Sequence, residues 1–476
     1  MMSVIVLLHR WLGIAFCLLF AMWFASGIVM HFVPFPSLTE AERFAGLAPL
    51  DRGPAIMPVA DAVAASGMKD VTRVRLIQRS DGPVYVVSGP SIARSIRASD
   101  RDDASVTVPD VALAIARAHA DRRGLDATRA AIVARAGYDQ WSVSNGFDRH
   151  RPIFRIALGD TLGTEIYVSS RTGEVVLDTT RSERGWNWAG SVLHWIYPTV
   201  LRSNWSLWDQ VVSTLSLAAL IAAVLGAVLG IIRIRIRGRR ISPYRGWHAL
   251  HHVIGLVSTV FVLTWIFSGW LSMDHGRLFS RGQLTPAEAG VTNAVPDWRA
   301  TSSFDRLLVP SSVREVEWFA FNGSVYRRDR TGLNSQTLTE AGEPGRNPQM
   351  AFLAEQDVLS LTTRLAAGCG AASVLADNDD YPAQSIIPQA PVYRSRCGDL
   401  WFDIDGADGS VLQRLDASRR AYRWAYSALH TLDFPVLMAH RRLRDVLIVG
   451  LCALGLVFSV TGIAIGWRRL QAKFAT

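Results

Sequence analysis

Cysteine is scarce in this chain, with four in 476 residues, and no two of them stand in a Cys-x-x-Cys pair. That spacing excludes a thioredoxin-type thiol motif and a thiolate zinc site. Nucleotide fingerprints are missing too: there is no G-x-G-x-x-G after a strand, no P-loop and no flavin signature. Neither H-E-x-x-H nor G-x-S-x-G occurs, so metalloprotease and α/β-hydrolase chemistry are also excluded. Charge is nearly absent from four long runs, Val4–His31, Leu207–Ile232, Val253–Met273 and Val446–Trp467. Each is close to the ~20 residues that a bilayer helix needs.

What is present fits those runs. The apolar fraction is 49% and the mean hydropathy is +0.18, values of a membrane protein. The first run is too long, and its basic flank too poor, for a signal peptide, so it reads as an uncleaved anchor. The segment Ile231–Arg245 carries Arg233, Arg235, Arg237, Arg239, Arg240 and Arg245, and the tail carries Arg468, Arg469 and Lys473. The positive-inside rule puts both in the cytoplasm of a bacterial inner-membrane protein, with both termini inside. Arg441, Arg442 and Arg444 oppose the rule, but long translocated domains override local charge. Much of the net charge of +9 flanks the membrane runs, where it meets anionic lipid; nucleic acid is not the expected partner.

The expected order is a first helix in 1–33, a periplasmic domain in 34–190, and a periplasmic histidine segment with the second helix in 191–233. A cytoplasmic basic loop in 234–247 and a third helix in 248–273 follow, then a second periplasmic domain in 274–423. A second histidine segment with the fourth helix occupies 424–469 and a cytoplasmic tail 470–476. Cys17 and Cys452 fall inside helices as apolar packing residues, while Cys369 and Cys397 share the second polar segment, where a disulfide can form in an oxidising compartment.

The chain repeats itself. "WAGSVLHW" and "WAYSALHT" place His194 and His430 at an offset of 236, and the same offset pairs Trp188 with Trp424, Asp209 with Asp445, Gly226 with Gly462, Gly230 with Gly466 and Arg233 with Arg469. "HRWLG" and "HHVIG" match at an offset of 242, which pairs His9 with His251, Trp23 with Trp265 and Ser26-Gly27 with Ser268-Gly269. "PIFR" at Pro152–Arg155 echoes "PVYR" at Pro391–Arg394. The fold class is therefore an α+β membrane protein: four transmembrane helices in a two-fold internal repeat of helix, polar domain, helix. Such repeats carry functional sites near their symmetry axis. "DVALAIARAHA" has helical spacing, and "VTRVRLIQ", "PVYVVSG", "PIFRIALG", "TEIYVSS" and "GEVVLD" alternate as antiparallel strands. The stretches 281–303 and 329–349, rich in Gly, Pro, Asn and Thr, read as insertions or linkers.

Ionisable side chains at membrane depth are costly and mark function. His9 and His251 fall at the cytoplasmic ends of the first and third helices; His194 and His430 fall on the other side. Imidazole is the usual axial ligand of b-type haem, so the repeat offers two symmetric pairs, His9 with His251 and His194 with His430. A helix separates the two levels by about 25–30 Å. For one such histidine, interfacial anchoring is an equal reading; two repeat-matched pairs weigh against it. His31, on the same helix face as His9, is the reserve outer ligand, and His252 and His248 are reserves for His251. Catalytic residues proper stay unassigned, and the tryptophans read as an interfacial belt.

"HRWLG…SG", "PIFRIALGDTLGTEIYVSSRTGEVV", "WAGSVLHW", "ALHHVIG…SG" and "WAYSALH" together resemble the PepSY-associated transmembrane family, over nearly the whole chain. Within it the chain is most similar to inner-membrane ferric-siderophore reductases of the FoxB kind. That resemblance implies two haem b held by His9, His251, His194 and His430 as haem-iron axial ligands, PepSY-like periplasmic domains, and one-electron reduction of a periplasmic ferric siderophore. The electron donor would be a quinol or a cytoplasmic reductase. Arg155 and Arg394 could attract an anionic chelate, though pairing with local carboxylates is the commoner fate of such arginines. Three other readings stand beside this one: a haem-free PepSY protein that binds or regulates a periplasmic partner, a haem anchor feeding another periplasmic oxidoreductase, and a transporter. The last is disfavoured by the absence of a Gly-Pro break in any helix.

Overall fold

The computed structural model describes residues 2–51, 56–236, 241–304, 311–341 and 349–474. Arg237, Arg239 and Arg240 of the basic loop lie outside the described residues. The backbone separates into two compact units. One is helical (Met1–Phe35, Glu183–Arg281 and Ser418–Thr476); the other is mixed (Pro36–Ser182 and Gly282–Ala417).

In the helical unit the four apolar runs form helices Met2–Phe32, Trp205–Ile232, Gly246–Met273 and Arg441–Phe474, each long and apolar enough to cross a membrane. All four exceed the apolar runs themselves because flanking residues continue the hydrogen-bond ladder: the fourth begins at Arg441, five residues before Val446. The Asn204 side chain accepts from Leu207 N and starts the second helix, and Asp274 in the left-handed region ends the third. Phe24, Ala219, Val262, Trp265, Ile266, Ile448 and Cys452 form the core. Gly455 makes room in it, since a Cβ there would stand 2.7 Å from the Phe24 ring. Ahead of the second and fourth helices the chain adopts short π-helices, Trp188–Val192 and Arg423–Ala428.

The mixed unit contains β1 (Arg73–Arg79), β2 (Gly82–Ser88), β3 (Ala93–Arg97), β4 (Ala131–Ala136), β5 (Ile153–Ala157), β6 (Glu165–Ser169) and β7 (Val175–Thr179) from the first polar segment. The second polar segment supplies β8 (Glu315–Phe321), β9 (Ser324–Gly332), β10 (Ser335–Glu340), β11 (Gln349–Met350), β12 (Ser373–Val374), β13 (Val392–Cys397), β14 (Leu400–Asp405) and β15 (Val411–Leu415). Among the described residues three sheets result, in the orders β11-β10-β9-β8-β1-β2-β3, β4-β5-β6-β7 and β12-β13-β14-β15. Helix Pro109–Arg122 covers the second sheet and Glu355–Leu365 the third.

The seven-stranded sheet takes strands from both polar segments, joined where β1 pairs antiparallel with β8. Its register sets Arg73 opposite Phe319, Arg75 opposite Glu317 and Ile77 opposite Glu315. The offset of 242 carries Arg73 to Glu315, Arg75 to Glu317 and Ile77 to Phe319, so a local two-fold passes through the Arg75–Glu317 pair. Period-2 alternation gives this sheet one apolar face (Val74, Leu76, Tyr85, Val316, Trp318) and one charged face. On the charged face, Arg73 bonds Glu317 at 2.7 Å and Asp408 at 2.9 Å, Arg75 meets Glu174 at 2.6 Å, and Arg330 meets Glu40 at 2.6 Å and Glu315 at 3.2 Å. Burial alone would raise the Glu315 carboxyl, but Arg43, Arg75 and Arg330 outweigh it and hold it well below the usual range.

Glu174 and Asp408 come from the β6–β7 and β14–β15 turns. Each turn needs glycine: Gly173 (φ 68°) and Gly409 (φ 75°) are left-handed, and a Cβ would strike Arg79 at 2.3 Å in one and Phe321 at 2.0 Å in the other. A disulfide joins Cys369 to Cys397, and Cys17 and Cys452 are free thiols in the helical unit. The stretches read as linkers have structure. Residues 329–341 complete β9 and form β10, with 342–348 outside the described residues. Pro286–Thr292 is a helix closed by a Thr285–Glu288 capping box. Their Gly, Thr and Asn content belongs to tight turns between paired strands and to a helix start, not to a linker.

Candidate functional site

Four histidines face the inside of the helical unit, two at each of two levels. The rings of His194 and His430 are 6.2 Å apart, centre to centre, with 66° between their planes. His9 and His251 line one cavity of about 920 Å³ together with Arg10, Gly226, Phe458 and Gly462. That volume lies in the range of about 300–1,000 Å³ typical of cofactor sites.

All four rings are held in the same manner. The Nδ1 of His194 is 3.0 Å from Ser26 Oγ, that of His430 3.1 Å from Ser268 Oγ, and that of His251 2.8 Å from Thr461 Oγ1. His9 Nδ1 donates to the Ala222 carbonyl at 3.2 Å. The Nε2 atoms of these four residues make no hydrogen bond among the described residues. Each ring also lies against a glycine of a neighbouring helix. A Cβ on Gly27 would meet His194 Cε1 at 3.6 Å, on Gly269 His430 at 3.3 Å, on Gly226 His9 at 2.6 Å, and on Gly462 His251 at 3.7 Å. These glycines are themselves the repeat pairs Gly27/Gly269 and Gly226/Gly462. His251 further stacks on Phe458, with centroids 4.7 Å apart.

The backbone around His194 is fastened as well. Trp23 Nε1 donates to the His194 carbonyl at 3.0 Å, Ser191 Oγ to Asn187 Oδ1 at 2.7 Å, and Asn187 Nδ2 to the Pro34 carbonyl at 2.9 Å. The π-helix just before it widens the turn, a feature that recurs at functional sites.

Two of the reserve histidines, His31 and His252, spend ring nitrogens on other partners. His31 gives its Nε2 to Asp445 Oδ1 at 2.8 Å, and at the matching level of the repeat His275 Nδ1 meets Asp209 Oδ2 at 2.7 Å. Both ring nitrogens of His252 are used, toward Ser242 Oγ at 2.9 Å and the Gly230 carbonyl at 2.8 Å. His248 lines the same cavity as His251. Arg155 and Arg394 follow the commoner fate of such arginines. Arg155 bonds Asp139 at 2.8 Å, and Arg394 bonds Asp403 at 2.7 Å and Asp379 at 2.6 Å, so neither is free for an incoming anion. The hydroxyls of Ser26, Ser268 and Thr461 had no role in the sequence reading, although "SG" at Ser26 and Ser268 is one of its repeat matches.

Among the described residues, no three His, Cys, Asp or Glu side chains converge on one point. A bare metal ion would find two imidazoles at most, too few for a closed protein site. What each level offers is a pair of imidazoles with no hydrogen bond at Nε2 among the described residues.

No curated protein sequence matches the chain. The profile of the PepSY-associated TM region matches residues 6–469, nearly the whole length. With its four apolar helices and its mixed helix-and-sheet unit, the chain is a membrane protein that belongs to the PepSY-associated TM family.

Proposed function

We propose that the chain is a di-haem b reductase of the bacterial inner membrane that passes electrons to a periplasmic ferric siderophore. One observation carries this reading: two repeat-matched histidine pairs, each ring tied through Nδ1, with no hydrogen bond at Nε2 among the described residues. Two imidazoles that share one metal through bonds of about 2.0–2.1 Å have ring centres about 6 Å apart; those of His194 and His430 are 6.2 Å apart. The residues fit haem b: His194 and His430 would hold one group, and His9 and His251, which line one cavity, would hold the other.

Haem b supplies a one-electron couple whose potential follows its ligands and its burial. The protein's part is to hold the two levels about 25 Å apart along the first helix, from His9 to Ser26, and to keep water out between them. Phe24, Phe261 and Trp265 pack there with ring centres 5.7–6.2 Å apart. At the periplasmic face a single electron converts chelated Fe(III) to Fe(II). Hard oxygen chelators hold Fe(II) poorly, so the metal leaves without breakdown of the chelator. A quinol or a cytoplasmic reductase supplies the electron. The mixed unit with its disulfide belongs in the periplasm, and both termini in the cytoplasm.

The test is the absorption spectrum of the detergent-purified protein, air-oxidised and then dithionite-reduced, with a pyridine haemochrome count. Sharp reduced α-bands and about two haems per chain are expected. A colourless protein from haem-supplied cells would overturn the reading and leave a PepSY protein that binds a periplasmic partner.

A further inference from the structure

Ser26 Oγ donates to the Met22 carbonyl at 2.6 Å. A hydroxyl has one proton, and at that distance the proton lies on the carbonyl side. Toward His194 Nδ1, 3.0 Å away, Ser26 presents only lone pairs, so the ring must carry its hydrogen on Nδ1. Thr461 repeats the arrangement: Oγ1 donates to the Phe458 carbonyl at 2.6 Å and accepts from His251. Ser268 Oγ likewise donates to the Trp265 carbonyl at 3.1 Å and lies 3.1 Å from His430 Nδ1. The three hydroxyl residues are 0–2% exposed, so water cannot replace them.

The fourth ring explains the other three. At the offset of 236, Leu225 stands where the second half has Thr461, and Ala222 where it has Phe458. Leucine has no hydroxyl to interpose, and His9 gives its Nδ1 hydrogen straight to the Ala222 carbonyl, an atom that can only accept. The same carbonyl position thus terminates both bonds, with a hydroxyl interposed in the second half. Back-bonding by Ser and Thr is common in apolar helices, and Ser216 and Ser459 do it with no hydrogen bond to an imidazole. What separates Ser26, Ser268 and Thr461 is that their remaining lone pairs are spent on histidine.

We propose that Ser26, Ser268 and Thr461 are positioning residues that fix His194, His430 and His251 in the Nδ1–H form, so that each presents only an Nε2 lone pair to a haem iron. This rests on the di-haem reading. A hydroxyl that accepts Nδ1–H also makes the imidazole a better donor, which favours the ferric state. Removing it frees the ring to turn and raises the midpoint potential.

Ser26→Ala, Ser268→Ala and Thr461→Val, the last exchanging the hydroxyl for a methyl group on the same branched frame, should each weaken haem binding by about 10–100-fold. The readout is haem transfer to excess apomyoglobin, alongside a spectroelectrochemical titration in which one of two midpoints moves upward. Ser26→Thr keeps the hydroxyl and should restore both values; Ser216→Ala should change neither. Variants that elute as monodisperse, coloured protein with wild-type haem retention and midpoints would overturn the proposal, as would a Ser216→Ala shift as large as that of Ser26→Ala. A colourless wild type would instead sink the di-haem reading on which it stands.

Discussion

Each histidine ring in this protein's two pairs is confined from two directions, by an acceptor at Nδ1 and by a glycine against Cε1. The tightest approach is at Gly226, where a Cβ would stand 2.6 Å from His9 Cε1 and 3.2 Å from Nδ1. Gly226→Ala must therefore push the ring off its Ala222 acceptor, an overpacking that costs about 1–3 kcal/mol. If the protein is the proposed di-haem reductase, the expected outcome is loss of one level: a haemochrome count of about one per chain instead of about two. Gly450→Ala in the fourth helix is the comparison, since a Cβ there meets nothing within 4 Å. An unchanged count in Gly226→Ala would separate His9 from haem ligation. At this scale the sequence shows which histidines repeat but not what each nitrogen touches. His31 shares a helix face with His9 and yet spends its Nε2 on Asp445, because the partner acid stands 414 residues away. No local pattern records that distance.

Strands and helices were legible where one face is buried. "VTRVRLIQ" alternates because Val74 and Leu76 enter the apolar core while Arg73 and Arg75 enter the charged face. That second face is buried as well, and its stability depends on complete pairing. Glu315 accepts from Arg43, at 2.9 and 3.1 Å, from Arg75 at 3.3 Å and from Arg330 at 3.2 Å. Glu315→Gln would leave three arginines short of one negative charge in a buried site, a loss of about 3–5 kcal/mol. Thermal unfolding of the purified chain should show it, and Glu315→Gln combined with Arg330→Met should recover part of the loss. A single change within about 0.5 kcal/mol of wild type would mean that the carboxylate contributes no more than a surface pair does. The π-helices before His194 and His430 escaped the reading for a different reason. Their backbone differs from an α-helix by one hydrogen-bond step, which leaves no periodicity to count.

For the whole molecule, the repeat was the strongest signal and the joining of its halves the weakest. Offsets of 242 and 236 are plain in the sequence. The pairing of β1 with β8 is a contact between copies of one segment, which a window along the chain does not register. Two-fold pairing nevertheless has a consequence for topology. An even number of spanning helices returns the chain to its starting side, and the strands of both polar segments can share one sheet only if both segments lie on the same side of the membrane. The arginines at 233, 235 and 245 then lie opposite that sheet, as the positive-inside rule requires. In a background with Cys17 and Cys452 changed to Ser, Asp126→Cys, on an exposed turn of the mixed unit, should react with a membrane-impermeant maleimide in intact cells whose outer membrane has been opened. Arg235→Cys, exposed after the second helix, should react only once the inner membrane is permeabilised. The reverse order would put the disulfide-bearing unit in the cytoplasm, where thiols stay reduced, and would remove periplasmic reduction of a siderophore from consideration.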